Sequence, residues 1–451
     1  MSIDTVIDGW SDHFPVDLSY LDRGDHHMSR LGRTVLAVGI AVATTTFSAT
    51  VISPALAETP PTAPAGAPPT AAVALGDSFV SGEGAGAYTP VVDINGETST
   101  FPGWSAPNSA AYFCHRSANA SLHRANLPGI EDRFNLACSG GQPADIANAS
   151  ADRANGRQVA AQLDQLRAVA QTHDIDLVLI GVGSNNSSFT FGTVAEKCAN
   201  RFISDAWIGW WEFWAHPWAV EQDPCSDADL ATAAEFAAAT AETSAAVRQV
   251  LSTLAEVDAD GEHRVVLQDY TNPLPEQLDQ AYWTEDNRDD TRDKFRDLGR
   301  ERYAAGCPIH RASLAPGHRF SQSLGTMVSQ VHTDVTSEFP NADVVLLNVQ
   351  QAFDGARLCE TTGGPQNALA TAIRLMDGPT GTYVTSLEGA DKLDINRIAG
   401  TCVDHFQTCQ ESWHPNAAGH LALGECLTGA ASTSAREVSC VRSPAGAITV
   451  S

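Results

Sequence analysis

The sequence is poor in basic residues. It contains 27 Lys and Arg against 54 Asp and Glu, which gives a formal net charge of −27 and a pI of about 4.7. A surface this acidic repels phosphate backbones and anionic lipid headgroups. We therefore expect no nucleic-acid partner for this chain.

The motifs that hold nucleotides and metals are also missing. No GxxxxGK[ST] or GxGxxG stretch occurs in the sequence, which argues against a phosphate cradle. No CxxC pair occurs, which argues against a zinc site. His414 and His420 have a spacing that does not place them on one helix face, and no further ligand accompanies them. We predict neither a metal nor a cofactor.

The chain nevertheless has the size and composition of a folded protein. It has 451 residues, of which 43% are hydrophobic and 18% are charged, so it can bury a substantial core. No internal repeat and no second domain boundary is evident. We predict that residues 71–451 form one domain.

The N-terminal segment carries the features of a secretory signal. Arg30 and Arg33 precede an apolar run over 34–52, and a small-x-small cleavage site ends at Ala57. We predict that 1–57 are an upstream extension and signal peptide, with Met28 as the start, and that the mature protein is extracellular. The alternative is a membrane anchor, which the many Thr, Ser and Gly residues of the run disfavour. Residues 58–70 are rich in Pro and Ala and are predicted to be an extended tether.

Ten cysteines form an even set, which in an exported chain favours disulfides over metal ligation. Bridges between sequence neighbours would staple long loops, each contributing about 2 to 4 kcal/mol in the chain-entropy model. The order along the chain suggests five candidate pairs: Cys114 with Cys138, Cys198 with Cys225, Cys307 with Cys359, Cys402 with Cys409, and Cys426 with Cys440.

Short apolar runs alternate with helical stretches from residue 71 onward. This alternation predicts a doubly wound α/β domain, with a mostly parallel sheet covered by helices on both faces. The expected strands are 71–75, 176–181, 264–269 and 342–349, and the expected helices are 158–171, a helix capped by Ser226 and running to about 256, and 320–338.

In such a sheet the active site lies at the carboxyl ends of the strands. The first expected strand runs directly into Gly76-Asp77-Ser78. A serine at a sharp strand-to-helix turn exposes its hydroxyl and its backbone N–H to the same space, which suits a nucleophile that also supplies an oxyanion donor. Ser78 is thus a candidate nucleophile, although a Gly-Asp-Ser tripeptide also marks ordinary turns.

A catalytic serine needs a base, and His414 is the candidate. It precedes Pro415 at an expected helix start, and Glu411 stands three residues earlier, where its carboxylate can reach the imidazole Nδ1–H. The alternative interpretation of His414 is a helix-capping side chain.

Four sequence blocks resemble those of the SGNH (GDSL) hydrolases and occur in that family's order. They are GDSFVSGEG at 76–84, CSGG at 138–141, GSNNSSF at 183–189 and HPNAAGH at 414–420. The match is similar to the secreted actinobacterial esterases and lipases of the family, which also carry a CHRSAN segment, here at 114–119. The resemblance covers about 71–430 and implies a flavodoxin-like three-layer fold.

The resemblance also implies a role for each matching residue. Ser78 would be the nucleophile, His414 the general base and acid, and the oxyanion hole would consist of the Ser78 and Gly140 N–H groups with the Asn185 side chain. The chain departs from the family at Asn186, where the family has Asp, and at Glu411, where the last block usually has Asp. We expect Asn186 to alter a supporting hydrogen bond only, and Glu411 to act by its carboxylate, by its carbonyl or not at all.

These observations predict a carboxylic ester hydrolase with a small-molecule or lipid ester as substrate, acting as a monomer. Two alternatives stay open: an acetyl-sugar esterase or phospholipase, and a secreted binding protein that has lost catalysis on the same fold. A tryptophan cluster between Cys198 and Cys225 favours lipid-like acyl chains, through a groove or transient lipid contact, unless it packs as a satellite core. The cluster comprises Trp207, Trp210, Trp211, Trp214 and Trp218.

Overall fold

The computed structural model describes most of the chain from residue 68 onward. The described residues are 68–96, 113–151, 158–195, 197–198, 201–202, 224–257, 263–277, 307, 309–360, 375–377, 382–384 and 413–451. Gly66–Ser451 form one compact unit. The preceding unit, Met1–Ala65, contains the predicted signal peptide and lies outside the described residues.

The centre of the unit is a seven-stranded sheet with the order β11-β10-β7-β6-β5-β1-β2. Its strands are β1 (Thr70–Gly76), β2 (Asp132–Asn135), β5 (Asp174–Gly181), β6 (Arg264–Gln268), β7 (Asp343–Gln351), β10 (Glu437–Arg442) and β11 (Ile448–Val450). All neighbouring pairs are parallel except β10 with β11. Two small antiparallel hairpins pair β3 (Ser150–Ala151) with β4 (Gln158–Val159) and β8 (Leu375–Asp377) with β9 (Thr382–Val384).

Helices pack around this sheet. They are α1 (Ser78–Ser81), α2 (Ser121–Arg124), α3 (Gln162–Ala170), α4 (Ala233–Val257), α5 (Arg311–Glu338) and α6 (Ala417–Ser432). The helices α3, α4 and α5 pack side by side, while α6 packs on α2, and both α5 and α6 contact β7. This arrangement confirms the predicted doubly wound, mostly parallel α/β fold.

The central strands are buried on both faces, which explains their near-continuous apolar sequences. Val178, Leu179 and Ile180 of β5 are fully buried, as are Val266 and Leu267 of β6. Such apolar runs are what predicted the four strands from the sequence. The predicted strands coincide with β1, β5, β6 and β7, to within two residues at each end.

Three helix boundaries differ from the prediction. Residues 158–159 pair with β3 instead of starting the helix, so α3 begins at Gln162. Ser226 caps the short 3-10 turn Asp227–Asp229, because Asp229 reaches back to its backbone, and the long helix α4 begins only at Ala233. Helix α5 begins at Arg311 and includes Pro316, which the prediction had left outside the helix.

Disulfides join four of the five predicted pairs. These are Cys114–Cys138, Cys198–Cys225, Cys307–Cys359 and Cys426–Cys440. The pair Cys402 with Cys409 lies outside the described residues. Each bridge closes a loop between sequence-neighbouring cysteines, as the order along the chain had suggested.

Within the part of the chain that the structure describes, no helix combines the length and hydropathy that a membrane span requires.

Candidate active site

The end of β1 forms a turn that only glycine can make. Gly76 has φ +142°, and a Cβ there would lie 1.9 Å from the Gly181 carbonyl oxygen at the end of β5. The chain then passes into Asp77, whose backbone N–H donates to that same oxygen at 2.9 Å. The two strand ends are thereby held together at the carboxyl edge of the sheet.

Asp77 caps the short helix α1, and Ser78 is its first residue. The Asp77 carboxylate accepts a hydrogen bond from the Phe79 N–H at 3.0 Å, and Gly82 ends the helix in the left-handed conformation. Ser78 is 6% exposed. The tight turn therefore brings its hydroxyl to the sheet edge in a largely desolvated position.

His414 is far from Ser78 in the sequence, but the two side chains are in contact in the structure. Its Nε2 lies 2.8 Å from the Ser78 Oγ. This distance is within hydrogen-bond reach, the first geometric requirement for a base that activates a serine hydroxyl. Trp413, immediately before the histidine, adopts φ +70°, a conformation uncommon for a bulky residue.

The helix-capping interpretation of His414 is wrong. The N-cap of α6 is Asn416, whose side chain accepts from the backbone N–H groups of Ala418 and Gly419, each at 3.0 Å. The histidine lies before this cap and its Nε2 faces Ser78 instead of the helix backbone.

Gly140 lies in the loop after β2, the strand on one side of β1. It has φ +74°, is exposed, and would meet nothing within 4 Å if a Cβ were added. The next residue, Gly141, packs tightly: a Cβ would approach the Cys138 and Gly76 carbonyl oxygens to 2.7 and 3.0 Å. Glycine is thus required at Gly141 by packing and favoured at Gly140 by backbone conformation.

Asn185 lies in the loop after β5, the strand on the other side of β1, and is 8% exposed. Its neighbour Asn186 shapes this loop. The Asn186 amide donates to the Gly183 carbonyl at 3.2 Å and accepts from the Ser188 and Phe189 N–H groups at 2.8 and 3.0 Å. An Asp could accept these two bonds but could not donate the first, so the departure at Asn186 changes a loop contact.

The two loops are connected to each other and to β1 by glutamine side chains. Gln142 donates to the Asn186 carbonyl at 3.4 Å. Gln162, buried at the start of α3, accepts from the Gly76 N–H at 2.7 Å and donates to the Gly76 carbonyl at 2.8 Å. The turn that carries Ser78 is therefore held by the side chain of Gln162, a residue outside the four sequence blocks.

A buried network that the sequence did not indicate lies beside Ser78. The Tyr270 hydroxyl donates to Asp77 Oδ2 at 2.6 Å and accepts from the Ser184 N–H at 3.0 Å, and the Ser184 hydroxyl donates to the same Asp77 oxygen at 2.8 Å. Tyr270 also packs edge-on against Phe79, with ring centroids 5.4 Å apart. The network joins the residue before Ser78 to the residue before Asn185.

Burial sets the acid–base properties of this network. It raises the pKa of Asp77, against the opposing effects of hydrogen bonds from Tyr270, Ser184 and Phe79 and of the charge on His414. It also raises the pKa of Tyr270 well above its ordinary value, and the adjacent Asp77 adds to that effect. The tyrosine hydroxyl therefore stays protonated and acts as a donor to Asp77.

His420 does not face solvent. It is fully buried in α6, and its burial, together with the charge of nearby His414, lowers its pKa to about 3. It is therefore neutral at ordinary pH. Among the described residues, no group of three or more His, Cys, Asp and Glu side chains is arranged to hold a metal ion.

The remaining predicted residues lie outside the described part of the chain. They are Glu411, Cys402, Cys409 and the tryptophans at 207, 210, 211, 214 and 218.

No family model matches the chain, and no curated protein matches it significantly. Solved structures similar to it include an extracellular lipase from Streptomyces rimosus, at 17% identity and a TM-score of 0.36, covering 80% of this chain and 99% of that one. A Corynascus carbohydrate esterase family 2 enzyme matches at 14% identity and a TM-score of 0.31, covering 82% and 67%. A family two carbohydrate esterase from Clostridium thermocellum matches at 11% and 0.29, covering 80% and 63%. Because these TM-scores are below 0.5, we take neither an activity nor site residues from these proteins.

Proposed function

We propose that this chain is a secreted serine hydrolase that cleaves carboxylic esters through an acyl-enzyme on Ser78. The observation that carries the proposal is the 2.8 Å distance between Ser78 Oγ and His414 Nε2 at the carboxyl end of β1. A serine hydroxyl is a weak nucleophile until an adjacent base removes its proton, and a histidine in hydrogen-bond contact is the usual base.

In the first half of the proposed reaction, His414 accepts the Ser78 proton as Oγ attacks the ester carbonyl carbon. The negative charge that develops on the carbonyl oxygen would be bound by the N–H groups of Ser78 and Gly140 and by the Asn185 amide. Loss of one such donor costs hydrolases roughly 3 to 4 kcal/mol of barrier. His414 then gives its proton to the leaving alcohol, and the acyl group stays on Ser78.

In the second half, a water molecule takes the place of the alcohol. His414 accepts a proton from this water as it attacks the acyl carbon, and returns it to Ser78 as the carboxylic acid leaves. We propose that Glu411 holds the Nδ1 side of the imidazole, by its carboxylate or by its backbone carbonyl, so that Nε2 stays directed at the serine.

We propose a substrate with a lipid-like acyl chain, because the sequence of 207–218 contains five tryptophans, a side chain suited to contact with such a chain. An acetyl-sugar esterase or a phospholipase would use the same chemistry with a different pocket. A secreted binding protein on this fold is the alternative from another class. The retention of Ser78 and His414 in hydrogen-bond contact favours the enzyme.

Export is part of the same proposal. The four described disulfides support an oxidising compartment, as does the signal-like segment at 34–57. We further propose that the exported protein is a monomer without a metal or cofactor.

The experiment is hydrolysis of p-nitrophenyl esters from acetate to palmitate by the protein from Glu58 onward, compared with Ser78→Ala. Ser434→Ala, an exposed serine in the α6–β10 connection, is the matched control. We expect activity that Ser78→Ala abolishes and Ser434→Ala preserves, with a maximum at long chains. A maximum at acetate would overturn the lipid preference, and folded wild-type protein inactive on every ester would favour the binding protein.

A further inference from the structure

A second, mostly buried polar cluster is joined to the helix that carries Ser78. It consists of Glu83, His115 and Ser139, which come from three separate segments. The Glu83 side chain is fully buried, and its Oε2 lies 2.6 Å from His115 Nδ1 and accepts a hydrogen bond from the Ser139 hydroxyl at 2.5 Å. His115 is also buried, and it stacks on Tyr88 with ring centroids 4.7 Å apart.

This cluster is not a second catalytic triad. In a triad the imidazole stands between the serine and the acid, so that it can accept the serine proton. Here the carboxylate stands between Ser139 and His115. Burial acts to raise the pKa of Glu83, but the attraction and hydrogen bond of His115, with the charge of His414 and the Ser139 hydroxyl, hold it below its usual value. Glu83 is therefore a poor base for Ser139.

The cluster does connect the nucleophile to the Gly140 loop. The Glu83 backbone N–H donates to the Ser78 carbonyl at 3.1 Å, so the residue is fixed to the end of α1. Its carboxylate holds Ser139, the residue immediately before Gly140. One side chain thus sets the distance between the helix that carries Ser78 and the loop that carries the Gly140 N–H.

A disulfide spans the same two segments. Cys114 and Cys138 are bonded. Cys114 directly precedes His115, and Cys138 directly precedes Ser139, so each cysteine stands next to a partner of the Glu83 carboxylate. The Ser139 N–H also donates to the Cys114 carbonyl at 3.0 Å. The covalent bridge fixes the two backbones next to each other, and the Glu83 carboxylate fixes the side chains that follow them.

Packing alone does not require a carboxylate at this position. A buried carboxylate is stabilising only when it is fully paired, and apolar residues of similar volume are often as stable. Glu83 Oε1 has no hydrogen-bond partner among the described residues. Cys114 and His115 also adopt positive φ values of 61° and 40°, a strained conformation of the kind that concentrates at functional sites.

We propose that Glu83 is a positioning residue, which through Ser139 aims the Gly140 N–H at the oxyanion formed on the substrate. This inference rests on the proposed ester hydrolysis. It assigns Glu83 to transition-state stabilisation and not to substrate binding, because a misplaced oxyanion donor weakens only the interaction made as charge develops.

The test compares Ser139→Ala, Glu83→Ala and Glu83→Gln with wild type, using p-nitrophenyl butyrate. Active sites are titrated with a fluorophosphonate, so that kcat refers to competent molecules only. We expect Ser139→Ala and Glu83→Ala to lower kcat about 10- to 100-fold with KM within about twofold, and to weaken binding of butylboronic acid, a tetrahedral oxyanion mimic, in parallel. Glu83→Gln keeps an oxygen that accepts the Ser139 hydroxyl and should retain more activity than Glu83→Ala.

The control is Glu235→Gln, which changes a partly exposed carboxylate that accepts from Thr232 near the start of α4. It should leave kcat and boronate affinity unchanged. If Glu83→Ala fails to fold, the positioning role is judged on Ser139→Ala, which changes a half-buried side chain. Unchanged kcat per titrated site, with losses only in melting temperature or in the titratable fraction, would overturn the positioning role. Inactive wild type, or activity retained by Ser78→Ala, would instead overturn the proposed hydrolase.

Discussion

At the scale of single residues, hydrogen bonds from neighbouring buried groups hold the turn that carries Ser78. Ser78 is oriented by the turn from Gly76 to Asp77, and Asp77 is in turn held by Tyr270 and Ser184. Tyr270 was not predicted, because nothing in the sequence indicates that β6 lies next to β5. In the sheet, β6 lies next to β5, and Tyr270 comes just after the carboxyl end of β6. It therefore lies at the same edge of the sheet as Ser78.

Removal of the tyrosine hydroxyl tests this support. Tyr270→Phe keeps the ring contact with Phe79 but leaves Asp77 Oδ2 with the Ser184 hydroxyl alone and the Ser184 N–H without its acceptor. An unmet buried hydrogen-bonding group costs about 1 to 3 kcal/mol, and we expect urea unfolding to show a loss of that order. Esterase kcat should fall by about 10-fold or more, because misplacement of Ser78 affects the attack itself. Unchanged kcat would show that Asp77 does not need the tyrosine.

Asp269 predicts a pH dependence of stability. It is fully buried after β6, its Oδ1 accepts from the Val349 N–H, and burial raises its pKa to about 8 against the effect of that bond. The folded protein thus holds a proton that the unfolded chain, with an ordinary pKa of 3.8, has released. Its stabilising contribution is complete below about pH 4 and is lost as pH rises through about 8.

Asp269→Asn isolates this contribution, because the amide oxygen can still accept from Val349. The free energy of unfolding of wild type, measured between pH 5 and 9, should fall relative to that of Asp269→Asn by an amount on the order of a few kcal/mol. A difference between the two proteins that stays constant over this range would mean that Asp269 is ionised in the fold.

At the scale of elements, the carboxyl ends of β1, β2 and β5 bring the candidate site together. The sequence predicted β1 and β5 because they are continuous apolar runs, but not β2, since Asp132–Asn135 has the sequence DRFN and lies at the sheet edge. The last strands, β10 and β11, were missed for a similar reason: β10 alternates buried with more exposed residues. The order of strands, and so the meeting of the loops, depends on pairing that a single sequence does not display.

The motif residues themselves could be recognised in the sequence, because the four blocks are short; three of them follow β1, β2 and β5, and the fourth runs into the start of α6. Ser78 and His414, to which the resemblance assigns the roles of nucleophile and base, lie in hydrogen-bond contact.

The supporting residues Gln162 and Tyr270 lie outside the four blocks and contact the site only because the chain folds. Glu83 lies inside the first block, but its partners His115 and Ser139 are distant in sequence. Gln and Tyr in an apolar region carry no pattern that distinguishes support of a site from ordinary packing.

The Gly140 loop gives a prediction at this scale. In Gly141→Ala, the new Cβ would press on two backbone oxygens, that of Gly76 at the end of β1 and that of Cys138 in the loop after β2, so one of these segments has to shift. We expect kcat/KM to fall by about 100-fold, comparable to the loss of one oxyanion donor. Gly192→Ala, where a Cβ meets nothing within 4 Å, is the matched control and should keep wild-type kinetics. Equal activity of the two variants would show that the loop tolerates displacement.

At the scale of the whole molecule, disulfides connect loops to a sheet that is already well buried. Four bridges lie within the described residues. Cys426–Cys440 joins α6 to β10 of the sheet, and Cys114–Cys138 ends in the loop after β2. Each is expected to contribute about 2 to 4 kcal/mol through restriction of the unfolded chain. Reduction with dithiothreitol should therefore lower the melting temperature, measured by circular dichroism, substantially. An identical melting temperature before and after complete reduction would contradict this role.

The acidity of the chain belongs to the same scale, since a net charge of −27 is a property of the surface as a whole. It concerns solubility and the choice of partners, and it does not determine the fold.

The central claim is that Ser78, activated by His414, forms a covalent bond with an ester carbonyl. The most direct measurement is peptide mapping by mass spectrometry after reaction with a fluorophosphonate, for wild type, His414→Ala and Ser434→Ala. The account predicts a single stoichiometric adduct on Ser78 in wild type and Ser434→Ala, and labelling slowed by at least about 100-fold in His414→Ala. An adduct on another residue, or ester hydrolysis by a protein that Ser78 labelling does not inhibit, would contradict it.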